Sequence, residues 1–98
     1  MKIEQTNIKD LLILSPSVFE DDRGYFLNHI NLKEIGINID FIQDNQSHSK
    51  KGTLRGLHYQ NPPYAQTKLI RVLQGKIIDV AVDLRKDSLT FGQSFTIY

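Results

Sequence analysis

The segment from Thr67 to Leu84 constrains the fold more than any other stretch of the chain. Two runs, Thr67 to Leu73 and Lys76 to Leu84, flank Gln74-Gly75. Two central residues with Gly second suit a tight hairpin turn, although Gln is a weaker first residue than Asn or Asp. With that loop, Leu73 pairs with Lys76, Ile70 with Asp79 and Lys68 with Ala81. Lys68, Ile70, Val72, Ile77, Asp79 and Ala81 then share one face, and Lys68 and Asp79 become diagonal neighbours within side-chain reach. The opposite face carries Leu69, Arg71, Leu73, Ile78, Val80, Val82 and Leu84. It is mostly apolar and needs a cover. One face is expected to line a cavity and the other to pack on a second sheet or subunit.

The remaining chain repeats this theme of short strands and turns. Residues 11–14 form an apolar run closed by Ser15-Pro16-Ser17, and Glu20 to Gly24 is an acidic turn. Tyr25 to Ile30 reads as a strand, Leu32 to Ile35 as a short helical turn ended by Gly36, and Ile37 to Asp44 as extended. Ser47 to Gly52 is a loop, and Phe91 to Tyr98 is strand-like up to its last residue. No long helical period competes, so the pattern predicts an all-β barrel or sandwich.

A chain of 98 residues suits one domain, and such a domain buries roughly 60–70% of the unfolded surface. The formal net charge of +1 gives no global pull toward nucleic acid or an anionic membrane, so any anion site must be local. There are no cysteines, which excludes disulfides and zinc-thiolate sites and is compatible with a cytoplasmic location. Neither a secretory signal nor a membrane span is expected.

The residues with most chemical content lie in Leu54-Arg55-Gly56-Leu57-His58-Tyr59-Gln60. On a regular strand, Arg55 and His58 point to opposite faces. Gly56 between them suggests a bulge that turns both toward one cavity. An imidazole there is a candidate general base, although a lone histidine is more often a core residue. Lys68 is a candidate oxyanion stabiliser, against the reading of a solvated strand residue. Asp79 either orients His58 or pairs with Lys68. Arg23 and Arg55 are phosphate candidates through their forked donors, and for Arg23 a local salt bridge with Asp21 or Asp22 is the alternative. Gln43 and Asn45 alternate on one strand face and can hydrogen-bond a sugar. Phe19 and Tyr25 either stack on a base or fill the core. His29 and His48 sit in polar surroundings and read as solvent-facing, and no His/carboxylate set makes a metal site.

Taken in order, these segments resemble the dTDP-4-dehydrorhamnose 3,5-epimerase family. Phe19-Glu20-Asp21-Asp22-Arg23-Gly24-Tyr25-Phe26 is similar to the family's Phe…Asp-x-Arg-Gly-x-Phe segment. Gln43-Asp44-Asn45-Gln46-Ser47 is similar to Gln-x-Asn-x-Ser, and Arg55 to His58 to Arg-Gly-Leu-His. Lys68, Gly75 to Arg85 and Ser88-Leu89-Thr90-Phe91-Gly92 complete the likeness.

The resemblance implies a cupin-type jelly-roll barrel. By the same resemblance, residues 1–98 are expected to be the N-terminal portion of its single domain, truncated at the C-terminal side. His58 would remove a proton beside the C4 ketone of a dTDP-linked 4-keto-6-deoxy sugar, and Lys68 would stabilise the enolate oxygen. Arg23 and Arg55 would hold the nucleotide diphosphate or sugar, with Gln43 and Asn45 near the ligand. No metal or redox cofactor is implied, and a homodimer is. Asn28 stands where the family usually has Glu. The family's tyrosine acid and the aspartate that orients its histidine are expected beyond residue 98. The competing readings are a non-catalytic sugar-nucleotide binding module and a metal-free cupin isomerase of another keto sugar.

Overall fold

Six short strands, paired as three separate antiparallel ladders, make up the regular structure of the computed structural model, which describes residues 1–98. Strand β1 (Lys2–Gln5) pairs with β2 (Leu12–Ser15), β3 (Val18–Asp21) with β4 (Gly24–Leu27), and β5 (Asp79–Val82) with β6 (Ser94–Ile97). The architecture is all-β, as the strand and turn pattern implies, and no ladder closes a barrel. No helix is long and apolar enough to cross a membrane.

Each ladder is closed by a side chain that satisfies backbone in its turn. Between β1 and β2, the Thr6 hydroxyl donates to the Leu11 carbonyl (2.9 Å) and accepts the Ile8 amide (3.1 Å). That loop tucks Ile8 in as the only buried apolar residue, 6% exposed. Its tightest point is Asp10, at φ +69°, a conformation that Asp tolerates better than most residues. Between β3 and β4 only Asp22 and Arg23 turn the chain, and Asp21 Oδ1 accepts the Arg23 amide (2.8 Å). The Leu32–Gly36 turn forms as its sequence predicts. The Ile37 amide bonds the Leu32 carbonyl (3.0 Å) and the Gly36 amide the Lys33 carbonyl (3.4 Å), with Gly36 at φ +72°. This is a Schellman closure, with Leu32 and Ile37 both half-buried beside it.

The longest turn, between β5 and β6, is built on Asp83. Its side chain is almost wholly buried, the residue being 4% exposed. Oδ1 accepts the Arg85 amide and Nε, both at 3.0 Å. Oδ2 accepts Ser88 Oγ (2.5 Å), Thr90 Oγ1 (2.6 Å) and Arg85 Nη2 (3.1 Å). The Asp83 carbonyl and amide pair with the Gly92 amide (2.7 Å) and the Gln93 carbonyl (2.9 Å), which lead directly into the ladder. Arg85 Nη2 also donates to the Lys9 carbonyl (2.9 Å), and Nη1 lies 3.6 Å from Asp10. The two ends of the chain are clasped together there.

The expected Thr67–Leu84 hairpin does not form. Residues 67–73 belong to no strand, and Asp79 lies opposite Ile97 rather than Ile70. Lys68 and Asp79 are therefore not the cross-strand neighbours that the hairpin would make them. The Asp83 turn closes β5 onto β6 with five side-chain hydrogen bonds, whereas Gln74-Gly75 offers only one turn-favouring residue. The extended Ile37–Asp44 segment likewise finds no strand partner.

Residues 38–78 are exposed throughout. The accessible surface is 9536 Å², against about 5,700 Å² for a compact domain of this mass. The radius of gyration is 15.6 Å, against about 12.6 Å. An unfolded chain of this mass exposes about 16,400 Å², so only some two-fifths of that surface is buried, below the expected share. Backbone hydrogen bonds number 24, where a closed domain of this length makes about 65.

The carboxylate of Asp83 is held far below the usual range by hydrogen bonds from Arg85, then Ser88 and Thr90, which outweigh the effect of burial. A lowered folded-state pKa makes its stabilisation complete above the unfolded value of about 3.9 and lost progressively as pH falls from there toward the folded value. Hydrogen exchange should show the Asp83, Gly92 and Gln93 amides protected down to about pH 4, with protection fading in stronger acid. Asp83→Asn should weaken that protection already at neutral pH.

Candidate active site

The residues singled out by the sequence fall into two groups: those fixed by local bonds and those standing open. Phe19 on β3 faces Phe26 on β4, and the pair is 64% and 69% exposed. Tyr25 lies opposite Glu20, on the other face of the same ladder, so Phe19 and Tyr25 cannot stack on one ligand from a common side. Arg23 sits at the tip of this hairpin and forms the local salt bridge anticipated as its alternative role, with Nη2 2.6 Å from Asp21 Oδ2. The pair holds the Asp21 carboxyl below its ordinary range, through the Arg23 side chain first and the Arg23 amide second.

Gln43 and Asn45 are joined, Gln43 Nε2 donating to Asn45 Oδ1 (3.2 Å). The strand face on which they are expected to alternate does not form, and this hydrogen bond is what holds the two side chains together. Arg55 Nη2 donates to the His48 carbonyl (3.3 Å), which ties the Arg55 side chain back across the Ser47–Gly52 loop.

Gly56 has φ +112°, a backbone conformation nearly closed to residues with a side chain. The expected bulge does not form, because residues 54–60 belong to no ladder, and Gly56 serves instead as a left-handed kink in unpaired chain. A Cβ at Gly56 would meet His58 N at 3.6 Å and Cδ2 at 3.8 Å. His58 packs that closely against the glycine and is exposed, so it is not a core histidine. Lys68 is also exposed. Asp79 opens β5 and is half-buried, on the same face as Ala81. Neither Lys68 nor Asp79 belongs to any of the four ion pairs. No hydrogen bond or ion pair joins Arg55, His58, Lys68 and Asp79 to one another. Arg55, His58 and Lys68 lie on chain that pairs with no strand, whereas Asp79 is held in the β5–β6 ladder.

Two features escaped the sequence reading. The Asp83 cluster had a visible signal, an Asp with Arg two residues on and hydroxyls five and seven residues on. The other is the approach of Arg71 to His29. Partial desolvation and then the Arg71 charge depress the His29 imidazole, although the residue is exposed as expected. No local pattern around His29 or Arg71 signals that coupling.

With the geometry in hand, similarity to known proteins is extensive. The family model described as dTDP-4-dehydrorhamnose 3,5-epimerase matches residues 5–98. A dTDP-4-dehydrorhamnose 3,5-epimerase of Shigella flexneri is 52% identical over 97 residues, covering 95% of this chain and 54% of that protein. One from Escherichia coli K12 is 47% identical over 97 residues, covering 95% and 52%. The chain thus spans about half the length of these curated relatives. The crystal structure of the enzyme of that name from Elizabethkingia anophelis NUHP1 superposes with a TM-score of 0.92 at 48% identity, over 99% of this chain and 55% of that one. The Bacillus anthracis Ames structure, solved with TDP and PPi bound, gives 0.90 at 50% identity, over 98% and 57%. The three ladders are those of a cupin-type jelly roll, open where no strand closes the barrel.

Gly56 generates a direct test. Gly56→Ala forces a side chain into the φ +112° conformation and should cost about 1–3 kcal/mol of stability if the backbone holds its course. Urea denaturation measures that loss. If the backbone relaxes instead, the His58 imidazole resonances should shift, because the added Cβ abuts that ring.

Proposed function

The chain belongs to the dTDP-4-dehydrorhamnose 3,5-epimerase family, and from that premise we propose that it works in the epimerisation of a dTDP-linked 4-keto-6-deoxy sugar, dTDP-4-dehydro-6-deoxyglucose, toward dTDP-4-dehydrorhamnose. The observation that carries this reading is the family match itself, which takes in every residue assigned a role below.

The chemistry follows from the substrate. C3 and C5 both flank the C4 carbonyl, so one ketone acidifies both C–H bonds. A base takes the proton, the electron pair moves onto the C4 oxygen as an enolate, and a proton returned on the opposite face inverts the centre. Nothing is oxidised or reduced overall, so the reaction calls for no redox cofactor. His58 is the base, suited by an imidazole that takes and gives protons near neutral pH. Its exposure leaves it accessible to a ligand. Lys68 holds a positive charge at the developing oxyanion, and its absence from every ion pair leaves that charge uncommitted. Arg23 and Arg55 hold the diphosphate, Gln43 and Asn45 the sugar, and Phe19 offers an exposed aromatic face to the base. Asp79, half-buried and free of ion pairs, either orients His58 or neutralises Lys68 once substrate has closed the site.

The reading carries with it a cytoplasmic setting and a homodimer. Its support for the dimer is the large exposed apolar surface, including Phe19, Phe26, Ile42, Leu54 and Leu57. Light scattering should return twice the chain mass at micromolar concentration, and a monomer would count against pairing.

The catalytic assignment is tested by solvent exchange. His58→Asn keeps polarity and removes basicity, and should slow deuterium uptake at C3 and C5 by about 10²–10⁴-fold with nucleotide binding retained. Lys68→Ala should slow it by about 10²–10³-fold, as loss of one oxyanion donor does. Exchange at the parent rate in His58→Asn would remove His58 as the base.

A further inference from the structure

We propose that Asp21 is a positioning residue for Arg23, holding its guanidinium edge-on so that the remaining donors present a fixed face to a diphosphate. The proposal rests on the reading of Arg23 as a diphosphate ligand. Three observations carry it. First, one carboxylate grips one edge of the guanidinium. Nη2 donates to Oδ2 at 2.6 Å, and Nε lies 3.3 and 3.4 Å from the two oxygens. Nη1 takes part in no hydrogen bond or ion pair of the chain. Its two hydrogens and the second hydrogen of Nη2 remain for another anion.

Second, the same carboxylate also fixes the backbone of Arg23, because Oδ1 accepts its amide (2.8 Å) inside the two-residue turn. Backbone and side chain of Arg23 are thus tied to one group, which an ordinary surface pair between two free side chains does not achieve. Third, the hairpin tip is open. The Arg23 side chain is 89% exposed and the Asp21 side chain 53%, so water competes for the guanidinium at every moment that it is not held.

The pair is electrically neutral. It therefore recruits phosphate by directed donors and not by net charge. Removing the Asp21 charge should free a mobile cation, which attracts anions less selectively and more steeply with falling salt.

The test is titration of the protein with TDP and, separately, with inorganic pyrophosphate, at low and physiological salt, for the parent, Asp21→Asn, Arg23→Ala and the double variant. The amide that replaces the carboxylate in Asp21→Asn keeps an oxygen to accept the Arg23 amide, so the turn is preserved. Asp21→Asn should weaken TDP binding at physiological salt by roughly three- to tenfold, the effect of releasing one rotamer-rich side chain, and should steepen the salt dependence. The double variant should bind no worse than Arg23→Ala. In turnover, Asp21→Asn should raise KM with kcat little changed. If Arg23→Ala weakens binding while Asp21→Asn matches or exceeds the parent at physiological salt, Asp21 has no positioning role and Arg23 keeps its own. If Arg23→Ala binds like the parent, the reading of Arg23 as a ligand fails, and the role of Asp21 with it.

Discussion

The link between the first and last ladders of this chain depends on a single carboxylate. Asp83 gathers Arg85, Ser88 and Thr90 around itself, and through Arg85 it reaches the carbonyl of Lys9 at the other end of the sequence. A buried charge without such partners would be costly. With them it becomes a fixed point to which β5, β6 and the β1–β2 loop are all referred. Asn7 Nδ2, 3.4 Å from Gln93 Oε1, adds a second thread between the same two regions. Asp79 opens the strand that this cluster terminates, so the placement of one proposed active-site residue is inherited from it.

Away from that cluster the chain follows a different rule. Turns close with their own side chains, and ladders extend only where such a turn is present. Where none is present, from Asn38 to Ile78, the backbone runs without strand partners. The proposed catalytic residues His58 and Lys68 lie in that region, whereas Arg23 lies at a closed turn. The other residues proposed to hold substrate, Gln43, Asn45 and Arg55, share the open region with His58 and Lys68. Of the proposed polar ligands, Arg23 alone stands on a turn closed within a ladder.

The local elements were legible because their causes are local. The apolar run at 11–14, the Asp-Asp-Arg-Gly turn, the Leu32–Gly36 closure and the strand before Tyr98 all appear where the residues imply. Strand choice was not legible in the same way. The apolar character of Thr67–Leu84 says that a strand is acceptable there but not which partner it takes, and Ile97, not Ile70, stands opposite Asp79. Residue type and order nominated the candidate site, Arg55-Gly56-Leu57-His58 above all. Its geometry was not legible, because neither His58 nor Lys68 lies in a ladder whose turn the local sequence specifies.

The pairing pattern has a consequence for how the chain acquires its structure. All three ladders join strands close in sequence, β3 and β4 through only two residues. Such hairpins form on a scale of roughly 1–10 μs. The long stretch between Leu27 and Asp79 joins no ladder, and pairing with partners distant in sequence is intrinsically slow. Throughout that interval Leu54, Leu57, Ile70 and Leu73 stand on unpaired backbone beside finished hairpins. Unfinished edges of this kind are where polypeptides associate wrongly. The same open segment that carries the proposed catalytic groups is thus where wrong association threatens this chain most.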